Sequence, residues 1–283
     1  MLKQRVITAL IMLAIVIPTL FFKSPWPFCA LALVFIAAAA WEWAHLNGMK
    51  QTGAFLFTGL FVALAAVGWY LGLIQQDLPM VWILASGFWV LIGAWLLKTG
   101  IVGWVKIPVA MRQVGGMLAL WLAWLAVAQA RVQGVNFLMS VLTLVWAADT
   151  FAYFAGRTWG GKFSTHKLAP TISPGKSWEG VWGGMVGVCF VALAWVWADS
   201  HWQNTVSSLY TQLQGQHMVF AVIALLFLTS MSVVGDLIES LIKRSAGVKD
   251  SSGLLPGHGG VLDRMDALLP TLPIAMMLAS LVN

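Results

Sequence analysis

Residues 240–266, SLIKRSAGVKDSSGLLPGHGGVLDRMD, set eight ionisable groups in 27 positions of a chain in which only 9% of residues are charged. They are Lys243, Arg244, Lys249, Asp250, His258, Asp263, Arg264 and Asp266. Just upstream, Asp236, Glu239, Ser240 and Lys243 fall at i, i+3, i+4 and i+7, which aligns them on one helix face. Asp263 and Asp266, three apart, share a face if a helix starts near 263, where their charge also favours its N-terminus. Convergent carboxylates repel one another unless a cation lies between them. An all-oxygen set from Asp236, Asp263 and Asp266 suits Mg²⁺ or Mn²⁺ rather than zinc, and Mg²⁺ commonly adds substrate phosphate oxygens to one or two carboxylates. The expected chemistry is therefore metal-assisted work on a phosphate. Lys243, Lys249 and Arg264 interleave with these acids, and the glycines of PGHGG, 256–260, let backbone N–H groups approach an anion.

A second polar stretch, 156–180, carries Arg157, Lys162, Lys167 and Lys176 against the single acid Glu179. Its turn Ser173-Pro174-Gly175-Lys176-Ser177 offers phosphate contacts, but it is not a Walker loop, because Pro170 occupies the position of the first required glycine. Asp149 and Tyr153, four apart and just before this stretch, can face the same cavity. His258 is open to two readings, proton transfer or phosphate binding on one side and stabilisation of its own turn on the other.

These residues need a scaffold, and the composition names its class. With 60% hydrophobic residues, mean hydropathy +0.85 and repeated apolar runs near twenty residues, the chain is an all-α, polytopic integral membrane protein. Spans are expected at 6–22, 27–46, 53–73, 78–97, 115–130, 135–156, 178–198, 218–242 and 266–282, about nine helices. Residues 1–22 are read as a retained first helix rather than a cleaved leader, because no small-x-small site follows Phe22. With the N-terminus cytoplasmic and the C-terminus periplasmic, 14 of the 16 Lys and Arg residues fall on the cytoplasmic side; only Lys23 and Arg131 do not. The net charge of +6 is thus a sidedness signal, matched to anionic headgroups or phosphates, with no call for nucleic acid. Asp149, Asp236 and Glu239 then lie inside spans, where a charge costs about 2.5 to 3.5 kcal/mol and implies function.

The organisation expected is one membrane domain. Helices within 1–130 face lipid or a second copy, and 135–283 is catalytic, with cytoplasmic loops 157–177 and 243–265. Residues 98–114 read as a segment along the inner headgroup layer. Trp202, Val206, Leu209, Tyr210 and Leu213 read as a helix resting on the outer surface. Gly180 with Gly184, and Gly183 with Gly187, read as helix-packing pairs, and Cys29 and Cys189 as packing residues without a disulfide.

The run from Ser240 through Lys243, Arg244, Lys249, Asp250, Pro256, His258, Gly259, Gly260, Asp263 and Arg264 to Asp266 resembles the signature of the phosphatidate cytidylyltransferases, without departure. Lys167, Pro170, Ser173, Pro174, Lys176, Glu179 and Gly180 are similar to that family's second polar loop. The resemblance implies that CTP and phosphatidic acid react at the cytoplasmic face of a bacterial inner membrane to give CDP-diacylglycerol and pyrophosphate. It also implies Mg²⁺, with room for a second cation where carboxylates crowd, and a homodimer. On this reading Asp236, Asp263 and Asp266 hold the metal; Asp263, Asp266, Lys249 and His258 serve catalysis; and Lys167, Ser173, Lys176, Ser240, Lys243, Arg264 and Asp149 bind substrate. Two other classes remain in view, a CTP-dependent polyprenol kinase, which would release CDP, and an ion-coupled transporter, which would carry polar groups into the outer half of the membrane.

Overall fold

A computed structural model describes residues 2–202 and 206–282. Their regular structure is helical: α1 (Leu2–Phe21), α2 (Trp26–Leu46), α3 (Gln51–Tyr70), α4 (Pro79–Lys106), α5 (Val109–Gln133), α6 (Val135–Trp159), α7 (Trp178–Trp202), α8 (Leu209–Gln216), α9 (Met218–Ser245), α10 (Leu262–Met265) and α11 (Leu268–Val282). Among the described residues, nine helices are long and apolar enough to cross a membrane, with α10 and α11 forming one span, Leu262–Val282. Two isolated β-bridges, Ala169 to Ser173 and Leu255 to Gly259, pinch the two polar loops shut.

Long-range hydrogen bonds sort the spans into two ends. At one end Arg5 Nε donates to the Gly257 carbonyl (2.8 Å), Trp43 Nε1 donates to the Arg112 carbonyl (3.2 Å), and Lys176 meets Asp236. At the other, Arg131 Nη2 donates to the Phe22 carbonyl (2.6 Å), Gln129 to the carbonyls of Leu73 and Gln76, and Gln216 to that of Val282. The start of α1, the end of α2, the α4–α5 turn and both polar loops therefore share one end of the bundle, and the C-terminal residues lie at the other. α11 packs on α4, α5 and α9, so early and late helices interleave in one bundle.

α6 and α7 are the most intimate pair, and the glycines of α7 are the reason. A Cβ on Gly183 would lie 2.2 Å from Ala155 Cβ, one on Gly184 2.9 Å from the Ala148 carbonyl oxygen, and one on Gly187 2.1 Å from the Phe151 ring. In hydrocarbon, where apolar burial drives little association, such close backbone approach supplies the packing.

One expectation is met in part and another needs correction. Residues 98–114 do break from the span: α4 is two helical stretches that meet at a kink at Gly100 (φ 63°, ψ −156°), the second reaching Lys106, and α5 starts at Val109. Only a glycine adopts that backbone readily, so the first stretch stops there and the chain changes direction. The outer segment is helical over Leu209–Gln216, but it does not rest on the surface. Leu209, Tyr210 and Leu213 are buried against the bundle, and part of the segment, 203–205, lies outside the described residues. Cys29 and Cys189 are free thiols, as expected.

Candidate active site

A cavity of about 380 Å³ opens between α6, α7, α9 and the loop that joins α6 to α7. Asp149, Tyr153 and Arg157 line it from α6, Lys176 and Ser177 from the loop, and Asp236 from α9; Leu168, Val181 and Val233 add apolar wall. Lys176 Nζ lies 2.5 Å from Asp236 Oδ2, and Ser240 Oγ donates to Asp236 Oδ1 at 3.4 Å. Arg157 donates to the Tyr153 hydroxyl (2.7 Å), which holds both at the cavity rim. Gly235 permits α9 to meet the last span here, since a Cβ would lie 2.5 Å from the Asp266 carbonyl oxygen. Asp266 consequently lies beside this stretch of α9, its Oδ1 accepting from Ala267 N at 2.7 Å. In the cavity wall two carboxylates, Asp149 and Asp236, thus stand with Lys176 and Arg157.

One turn further along α9 lies a second cluster. Lys243 Nζ sits 2.5 Å from both Glu239 Oε2 and Asp263 Oδ1. Asp263 Oδ2 accepts from Ser251 N (2.9 Å), Ser251 Oγ (2.9 Å) and Gly260 N (2.7 Å), so this carboxylate knots the polar run into a compact turn. Asp236, Asp263 and Asp266 therefore do not close on a single point. Among the described residues, no three acid, His or Cys side chains are grouped to hold one ion. Asp236 and Asp266 belong with Asp149 and the cavity, whereas Asp263 is engaged by Lys243, Ser251 and Gly260. The chemistry of the donor set still fits a hard cation. Asp149 and Asp236 at the cavity, and Glu239 and Asp263 around Lys243, offer carboxylate oxygens, the donors such a cation prefers.

Several expected site residues shape the loops instead of lining the cavity. Lys167 Nζ donates to the Pro174 carbonyl (2.9 Å), and Ser173 N to that of Ala169 (2.8 Å). Arg264 donates through Nε and Nη2 to the His258 carbonyl (3.0 and 2.6 Å), which ties the PGHGG turn to α10. The cavity wall includes none of Ser173, Lys249, His258 or Arg264; Lys249 is solvent-exposed, and His258 Nδ1 is a buried polar atom with no partner.

Two contributors are absent from the expected set. Glu42, fully buried on α2, accepts from Ser251 Oγ, Ser252 Oγ, Val261 N and Leu262 N. A lone acid inside the apolar span 27–46 was the available signal. Glu179, also buried, accepts from Phe163 N (3.1 Å) and Ser164 N (2.8 Å) through Oε1 and so folds the basic loop back over α7.

Fold and site define a class: a polytopic helical membrane protein whose polar loops close one end of the bundle around a cavity lined by carboxylates and basic side chains. The chain belongs to the Cytidylyltransferase family, whose model matches residues 3–282. It is 38% identical to the phosphatidate cytidylyltransferase of Haemophilus influenzae over 96% of both chains. It is 36% identical to that of Pseudomonas aeruginosa, over 97% of this chain and 95% of the relative, and 35% identical to that of Brucella abortus, over 95% and 89%.

Proposed function

We propose that this chain is a phosphatidate cytidylyltransferase, joining CTP to phosphatidic acid to form CDP-diacylglycerol and pyrophosphate. The observation that carries the reading is the cavity in which Asp149, Lys176 and Asp236 meet between α6, α7 and α9, in a chain that matches the family from end to end. Its acids and bases stand at one end of the spans, the depth at which a lipid phosphate meets aqueous nucleotide while acyl chains stay among the helices.

In the reaction a phosphate oxygen of phosphatidate attacks the α-phosphorus of CTP. The new P–O bond forms as the α–β bridging bond breaks, and pyrophosphate departs with that electron pair. Reactions of this kind need positioning and charge neutralisation more than covalent help from the protein. Lys176 and Arg157 at the cavity, with Lys249 and Lys167 from the loops, offset the triphosphate and the leaving pyrophosphate. Ser173, Ser240 and His258 donate hydrogen bonds, and Arg264 and Lys243 keep the polar run folded. Asp236 and Asp266, with Asp149 beside them, would hold Mg²⁺ at the cavity, and Asp263, beside the next turn of α9, would serve a second cation. When bound, the metal would neutralise charge on the phosphates. The density of basic residues at the site end supports a cytoplasmic orientation in an inner membrane, with the C-terminus periplasmic. We further propose a homodimer, a reading supported by the exposed apolar residues of α1–α4, such as Leu10, Leu56, Leu60 and Leu91.

Conversion of phosphatidate by purified Asp263→Asn and Lys249→Ala variants tests the assignment. Each is expected to lose at least about tenfold in turnover, about 1.4 kcal/mol of transition-state stabilisation. Near-normal turnover in both would refute it.

A further inference from the structure

Glu42 is fully buried near the end of α2, more than 200 residues from the polar run in sequence, yet four donors of that run hydrogen-bond to it. Oε1 accepts from Ser252 Oγ (2.5 Å) and Val261 N (2.9 Å); Oε2 accepts from Ser251 Oγ (3.1 Å) and Leu262 N (2.7 Å). Four donors thus converge on one carboxylate in a position closed to water. Buried donors that lose an acceptor cost about 1–3 kcal/mol each, so the run cannot readily reach this fold without Glu42.

The same run carries Asp263, and the two carboxylates share a hydroxyl. Ser251 Oγ lies 3.1 Å from Glu42 Oε2 and 2.9 Å from Asp263 Oδ2. Gly260 passes between them with no room for a side chain, since its Cβ would fall 1.9 Å from Ser251 Oγ and 2.5 Å from Glu42 Oε1. Glu42 therefore fixes both the start of α10 and the serine that orients Asp263.

We infer that Glu42 is a positioning residue for the cytidylyl transfer: through Ser251, Ser252 and the amides of Val261 and Leu262 it sets the place of Asp263 without touching substrate. This rests on the proposed function, in which Asp263 serves the reaction. A group acting this way governs the chemical step more than nucleotide binding.

The test uses the full-length protein in detergent or proteoliposomes, with kcat, KM for CTP and thermal unfolding measured in parallel. Glu42→Gln keeps shape and one acceptor but turns an NH2 toward donors. It is expected to lower kcat at least about tenfold with KM for CTP within about threefold, while the protein still unfolds cooperatively. Ser251→Ala removes the bridge without disturbing the amides and is expected to lower kcat several-fold. It decides the matter if Glu42→Gln fails to fold. Parental kcat per folded molecule in the variant that decides the matter overturns the inference. So does a change confined to KM. An unsubstituted protein with no CTP-dependent turnover overturns the proposed function and, with it, this inference; the two failures are thereby told apart.

Discussion

Lys176→Ala separates what the cavity does for the reaction from what it does for the fold. Lys176 Nζ meets Asp236 Oδ2 at 2.5 Å, but the two side chains remain 26% and 30% exposed. An ion pair that open to solvent contributes only about 0.2–1 kcal/mol to stability. At about 2–4 °C per kcal/mol for a chain approaching this size, the melting temperature should fall by no more than about 4 °C. Activity should respond on another scale. The ammonium is the one lysine in the cavity wall, and removing a single preorganised charge aimed at a developing oxyanion costs about 10²–10³-fold in kcat. Lys176→Arg keeps the charge on a longer, planar head and should recover part of that loss. Pyrophosphate release by purified protein, normalised to the folded fraction from thermal unfolding, provides the assay. Turnover within about threefold of the parent for Lys176→Ala would refute the placement of the triphosphate in this cavity. A drop in melting temperature matching the whole activity loss would equally contradict it.

Other predictions concern the scaffold. Gly183→Val should separate α6 from α7, because even its Cβ would fall 2.2 Å from Ala155 Cβ. A loss of about 1–3 kcal/mol is expected, read as a lower unfolding temperature, and parental stability would contradict the packing account. Glu179→Gln should loosen the basic loop only in part, since the amide oxygen can still serve Phe163 N and Ser164 N while its NH2 replaces an acceptor among backbone donors. Glu179→Ala should free the basic loop, with faster proteolysis within 160–177 and a higher KM for CTP; equal protease resistance in both variants would show that the loop does not depend on this acid. Gly260→Ala should abolish turnover while Gly253→Ala leaves it near parental, because a Cβ at 253 meets open space.

Much of this architecture is written locally. Twenty-residue apolar runs specify spans on their own, since a helix in hydrocarbon must satisfy its own backbone. The i, i+3, i+4, i+7 spacing from Asp236 to Lys243 likewise set those groups on one face of α9. The packing of α7 was legible for the same reason, because Gly180, Gly183, Gly184 and Gly187 lie on neighbouring turns. What escaped depends on partners far apart in the chain. Glu42 is a lone acid in an apolar span, and nothing near it in sequence announces Ser251 or Val261. Asp263 looked free to join Asp236 and Asp266 because its cage, Lys243, Ser251 and Gly260, forms only when the polar run folds back on α9. The break of α4, by contrast, was marked locally, by Lys98, Lys106 and Arg112 and by Gly100, where the helical backbone is interrupted.

The most direct measurement follows phosphorus through the reaction. Purified protein in micelles containing phosphatidate and Mg²⁺ would be supplied with CTP labelled at either the α- or the γ-phosphorus. The account predicts that the α-label enters the lipid fraction and the γ-label leaves as pyrophosphate, in equal amounts and only with phosphatidate present. A γ-label that enters the lipid, with CDP released, would contradict it.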